Sequence, residues 1–204
     1  MADPPRRVVT PTERDRHFTE LGRFVSLYGL AEAMLKHFLA RTVGVDPPTS
    51  KAIFSGVRTD QACSFIRRSY EARGEALPHD IDRLLQQMTA LTNLRNDILH
   101  HGINFNQDPP VSSNRKSVLN VKAVRETVVT DKTLVHAGWD CARVMLGFAA
   151  FMRPKDVPVD EEDLNFAVRE PWHYIPQKPP RTGRIHRAKS SRPKRKPRQL
   201  PPPE

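Results

Sequence analysis

The chain has 204 residues, 19 of them proline, with 38% hydrophobic residues and a formal net charge of +10. That length suits one domain of about 150 residues plus an appended segment, and such a domain can bury an ordinary core without metals or disulfides. No apolar run approaches the ~18 residues of a membrane span, the start MADPPRRVVTPTERD has no apolar signal core, and the two cysteines, Cys63 and Cys141, form neither a disulfide framework nor a metal-ligand spacing. The composition therefore predicts a cytoplasmic protein in a reducing compartment, with no membrane segment, cofactor or metal.

The charge is unevenly placed. Residues 171–204 hold ten Lys/Arg and one acid, whereas the first 170 carry 23 basic and 22 acidic groups. The folded part is thus near neutral, and the high isoelectric point belongs to the tail.

Residues 1–9 read as a flexible leader. Thr10-Pro11-Thr12-Glu13 then opens a long helix with a capping residue, a proline at the first helical position and a capping-box glutamate. Phe18, Leu21, Phe24, Val25, Tyr28, Ala31, Leu35, Phe38 and Leu39 recur at helical spacing, with Glu32 facing out. Gly44 and Asp46-Pro47-Pro48 end it, and Ser50 to Phe54 make a short turn. A second helix runs from about Thr59 to Arg73, capped by Thr59 or Asp60, with a stripe of Ala62, Phe65, Ile66 and Tyr70.

The stretch Asp80 to Gly102 predicts one amphipathic helix, capped by Asp80 and closed by Gly102. Ile81, Leu84, Leu85, Met88, Leu91 and Leu99 define its buried face. At 100° per residue Arg95 falls within about 40° of Ile81, inside that stripe. Asn96 and His100, four apart, share an adjacent flank, and His101 points elsewhere. A guanidinium on a core stripe is costly unless it meets an anion or a partner surface. Its fork matches phosphate oxygens bidentately, and a histidine at a helix C-terminus can move protons near neutral pH.

Beyond Gly102, segments around Ser117–Val121 and Thr127–Val129 are β-branched and predict a short hairpin near 115–129. Thr130-Asp131 opens a last helix to about Met152. Its apolar face is Leu134, Ala137, Cys141, Val144, Met145, Phe148, Phe151 and Met152, widened by Gly138 and Trp139. Residues 155–170 form an acidic linker or docking arm. Residues 171–204, nine of 34 proline, form a basic disordered tail in which Arg192, Lys194, Arg195, Lys196 and Arg198 could hold RNA phosphates.

Arg95-Asn96-Asp97-Ile98-Leu99-His100-His101-Gly102 resembles the Arg-x(4–6)-His motif of the HEPN superfamily. The setting is similar too: a long first helix, a second helix, the motif at the C-terminal end of a later helix, and a closing helix, over residues 12–152. The resemblance implies an all-α bundle of about four helices that homodimerises. It further implies metal-independent RNA cleavage, as in toxin–antitoxin or phage-defence systems with a cognate antitoxin. Arg95, Asn96 and His100 would be catalytic and His101 a possible auxiliary. Many HEPN toxins carry His-x-Tyr. Here Gly102 lies two after His100 and Ile103 two after His101, so inhibition by tyrosine modification is not implied. The alternative is a non-catalytic helical interaction module with a nucleic-acid-binding tail.

Overall fold

The computed structural model describes residues 10–114, 124–154 and 160–176. The fold is all-α with one short hairpin. Its elements are α1 (Pro11–Val43), α2 (Pro47–Phe54), α3 (Thr59–Ala72), α4 (His79–His101), β1 (Val111–Ser113), β2 (Glu126–Val128), α5 (Asp131–Phe151) and α6 (Glu161–Leu164). A π-helical turn, Asn165–Arg169, continues α6.

Local chemistry sets the start of α1. Thr10 Oγ1 accepts the Glu13 N–H at 3.3 Å, and the Glu13 carboxylate accepts the Thr10 N–H at 3.0 Å. The next boundary differs from expectation. Asp46-Pro47-Pro48 does end α1, but Asp46 also caps α2, accepting the Thr49 N–H at 3.1 Å. The prolines occupy the first turn of α2, where their missing N–H groups would have no helical partner anyway. Thr59 and Asp60 do not cap α3. Arg58 does, and its N–H donates to Gln61 Oε1 at 3.1 Å, while Thr59 is buried.

α1 and α5 make the most extensive helix–helix contact and run in the same direction. Arg16 pairs with Asp131 at their N-terminal ends, Phe38 stacks on Phe148 at 5.0 Å, and Arg41 donates to the Arg153 carbonyl at their C-terminal ends. α4 runs against both. Near its start Leu84 packs on Gly147, where a Cβ would stand 2.7 Å from Leu84 Cδ2 and 3.1 Å from Val168, so glycine permits this close approach. Phe24, Leu35, Ile66, Leu85, Met88, Leu91, Leu134 and Phe148 fill one continuous core, each side chain contributing about 1.5–3 kcal/mol of burial. Phe18, Phe65 and Trp139, expected on apolar stripes, are 50%, 38% and 58% exposed. The expected Ala62 and Ile66 on α3, and Ala137, Gly138 and Cys141 on α5, are buried, and Thr59 and Cys63 join the α3 stripe.

Pro78, not Asp80, occupies the N-cap of α4; Asp80 lies in the first turn and pairs with Arg169 at 3.2 Å. Leu94 and Ile98 are buried and Leu99 is 48% exposed, which reverses the assignment of Leu99 to the core. Toward its C-terminal end α4 meets the hairpin, and its buried face rotates accordingly. Asp97 is the tie there: its carbonyl accepts Ser112 Oγ at 2.7 Å and its carboxylate accepts Thr127 Oγ1 at 2.9 Å.

The hairpin pairs Val111 with Val128, Ser112 with Thr127 and Ser113 with Glu126, antiparallel. Its second strand lies where expected. Its first strand comes earlier in the chain, and the expected Ser117–Val121 segment lies outside the described residues.

The tail was expected to begin at Pro171, but the chain stays folded through Tyr174, which is 8% exposed. Arg143 on α5, fully buried, donates to the carbonyls of Phe166, Glu170 and Pro171, each at 2.9 Å, and its guanidinium lies 4.5 Å from the Trp172 ring. One turn earlier, buried Asp140 accepts the His173 N–H at 3.1 Å, the Tyr174 N–H at 2.7 Å and Gln87 Nε2 at 2.9 Å. This pair docks residues 160–176 against α4 and α5. The tail residues Arg192, Lys194, Arg195, Lys196 and Arg198 lie outside the described residues, as does the leader. No helix among the described residues is long and apolar enough to cross a membrane.

Candidate active site

α4 carries the motif into its last two turns and stops at Gly102, whose φ of 69° suits glycine and whose N–H donates to the Ile98 carbonyl at 2.9 Å. Arg95 sits half-buried between α4 and α1. Its guanidinium carbon stands 5.7 Å from the centre of the Tyr28 ring. Nη1 donates to Asn96 Oδ1 at 3.0 Å, and Nε is buried with no hydrogen-bond partner. Tyr28 is itself fixed, its hydroxyl bonded to Thr59 Oγ1 at 2.9 Å and Thr92 Oγ1 at 3.0 Å. Burial raises the Tyr28 phenol above its ordinary pKa, against the lowering by those two hydroxyls.

Arg95 and Asn96 open into a polar cavity of about 410 Å3 bounded by α1, the start of α3 and α4. Glu32, expected to face solvent, lines it and accepts Thr59 Oγ1 at 2.8 Å. Across the cavity Arg58 pairs with Asp60 at 3.3 Å, and Lys36 donates to the Ser55 carbonyl at 3.5 Å. Among the described residues neither Arg95 nor Lys36 pairs with a carboxylate, although Glu32 and Asp60 line the same cavity, so its cations and acids stand side by side.

His100 is exposed and does not line this cavity. It lies five positions after Arg95, about 140° around the helix. Asn96 links the two, bonded to Arg95 and one turn before His100 on the same flank. His101 diverges as expected. It is half-buried, its Nδ1 lacks a partner, and it lines a separate cavity of about 480 Å3 with Asn104, Gln107 and Glu126.

The chain matches no protein-family model, no curated protein and no solved structure. What the site can do therefore rests on its own chemistry. The half-buried cation, the fixed phenol and the amide suit the binding of a phosphodiester, and the exposed imidazole one turn on suits proton transfer.

Sequence reasoning missed Tyr28, Glu32, Thr59 and Asp97. The first three come from distant segments and share only helical stripes with the core. Asp97 lies within the motif but carries no signal distinguishing it from a solvated position. Neither cysteine belongs to the site. Burial pushes the Cys63 thiol up to about 11 and the Cys141 thiol up to about 12. Among the described residues no group of three or more His, Cys, Asp or Glu is placed to hold a metal ion.

Proposed function

We propose that this chain is a metal-independent endoribonuclease of HEPN type that works as a homodimer, in a toxin–antitoxin or phage-defence setting. RNA is the natural substrate for an arginine, an amide and a histidine, because its 2′-hydroxyl supplies the nucleophile. The 2′-oxygen attacks phosphorus, His100 takes its proton, and the 5′-oxygen leaves with a proton returned by a histidine. Arg95 binds the phosphate and offsets the charge that develops on it, and Asn96 positions both groups. The observation that carries this reading is Arg95. It is a half-buried guanidinium at the edge of the buried face of α4 that lines a polar cavity and forms no ion pair with a described carboxylate.

A dimer accounts for the divergence of Arg95 and His100: the cation of one copy meets the histidine of the other across a cleft. Leu99, 48% exposed within the motif, supplies an apolar contact for such a pairing. The test is RNA cleavage in EDTA by wild type, His100→Ala and Arg95→Ala. Equal activity in all three sinks the assignment. A second reading, a non-catalytic interaction module with a nucleic-acid-binding tail, draws on Arg95 and His100 lining no common cavity within one chain. It expects RNA retention without cleavage in all three proteins.

A further inference from the structure

A cavity of about 710 Å3 lies between α1 and α2. Its floor is apolar, built from Ala40, Val45, Phe54 and Met152, and its rim is basic, with Lys36, His37, Arg41 and Lys51 and no acid. Arg41 donates to the Arg153 carbonyl and Lys36 to the Ser55 carbonyl. None of the four pairs with a carboxylate among the described residues. α2 is eight residues long and buries none of them, with Ile53 55% exposed. A helix this short is marginal unless something packs on it. The groove thus combines an unfilled apolar floor with an unanswered positive rim.

We propose that this groove docks an acidic amphipathic helix of a partner protein. Ala33 to Arg41 on α1 and the whole of α2 each span about 12 Å, the rise of two helical turns, which matches apolar anchors at i, i+3 and i+7. Carboxylates on the flanks of that helix would answer Lys36, Arg41 and Lys51. The cavity is partly open to solvent, which suits a helix laid against it; lipid-like ligands take sites that enclose most of their surface. Lys36 and Ser55 also line the Arg95 cavity, so the docked helix shares a wall with it. A carboxylate that draws Lys36 from the Ser55 carbonyl reshapes that cavity. This last consequence rests on the ribonuclease reading; the docking does not.

The experiment uses the full chain and two labelled peptides of about 14 residues, capped at both ends. Both carry leucine at i, i+3, i+7 and i+10, one with glutamate on the flanks and the other with lysine. Fluorescence anisotropy is expected to show the glutamate peptide bound and its lysine twin at least tenfold weaker. Lys51→Glu should weaken the glutamate peptide at least tenfold, and Lys132→Glu, on the distant end of α5, should not. His100→Ala should bind it like wild type, so loss of the active-site reading and loss of the groove are told apart. Equal affinity for the twins overturns the proposal, since no charged rim then selects the peptide; binding of the glutamate peptide unaffected by Lys51→Glu overturns it in favour of the basic tail. Saturable binding of dodecanoate without the peptide also overturns it, in favour of an acyl chain, as does self-association abolished by Lys51→Glu, in favour of a second copy.

Discussion

The guanidinium of Arg95 stands 5.7 Å over the ring of Tyr28, whose hydroxyl is locked between Thr59 and Thr92. A cation over an aromatic face is held in direction without being neutralised. The planar fork keeps its other edge for a ligand, and a point charge cannot reproduce that. Arg95→Lys is therefore expected to lower single-turnover RNA cleavage by about 10²–10³ despite the retained charge. Cleavage by the lysine variant at the wild-type rate would leave Arg95 a structural role only.

The exposed apolar residues separate two surfaces. Leu99 lies on the motif helix, and Trp139 lies on the outer side of α5, 58% exposed. The shared-cleft reading expects Leu99→Glu to shift the dimer toward monomer in sedimentation and to reduce cleavage in parallel. Trp139→Glu should change neither. If Trp139→Glu alone dissolves the dimer, the two motifs do not face each other.

Arg143 and Asp140 are both fully buried, 3.6 Å apart, and each is answered mainly by the docked segment. Burial pulls the Arg143 guanidinium below its ordinary pKa, against the attraction of Asp140. Arg143→Ala leaves three carbonyls and a buried carboxylate without that donor. Urea unfolding should show a loss of about 3–5 kcal/mol. A loss below 1 kcal/mol would mean that residues 160–176 contribute little to the fold.

Asp131 joins the starts of α1 and α5, accepting Arg16 Nε at 2.6 Å and His17 Nδ1 at 2.8 Å. Burial alone would raise its carboxyl, but the hydrogen bonds from Arg16 and His17 outweigh it and hold the pKa below the ordinary value. A carboxyl depressed in the folded state stabilises above its unfolded pKa, near 3.9, and that contribution is lost as pH falls through the folded pKa. Wild type should exceed Asp131→Asn in stability at pH 6, and the gap should close below about pH 4. Urea titrations across that range would test it, and a constant gap would remove the carboxylate from the account.

Cys63 and Cys141 should resist a thiol reagent at pH 8 in the native state, since burial lifts their pKa values to about 11 and about 12. Both should react once the chain is unfolded in urea. Fast native labelling of either would show that the core opens.

Features written in adjacent residues were legible without coordinates. The capping box at Thr10 and Glu13, the stop at Gly102 and the α4 helix itself depend on interactions within a few positions. So does the placement of Asn96 and His100 on one flank, because helical geometry fixes it. The oddity of Arg95 on an apolar stripe was visible for the same reason.

Tertiary structure decided the rest. Which side of α4 is buried near its end depends on the hairpin that Asp97 holds, so Leu99 changed sides and Ile98 took its place. Glu32 and Tyr28 entered the site because α1 crosses α4 at Thr92. Arg143 and Asp140, one turn apart on α5, form the clasp for residues 160–176. Contacts that hold the chain together across 23 to 34 positions leave no periodic trace, because they are set by packing in space and not by helical repeat.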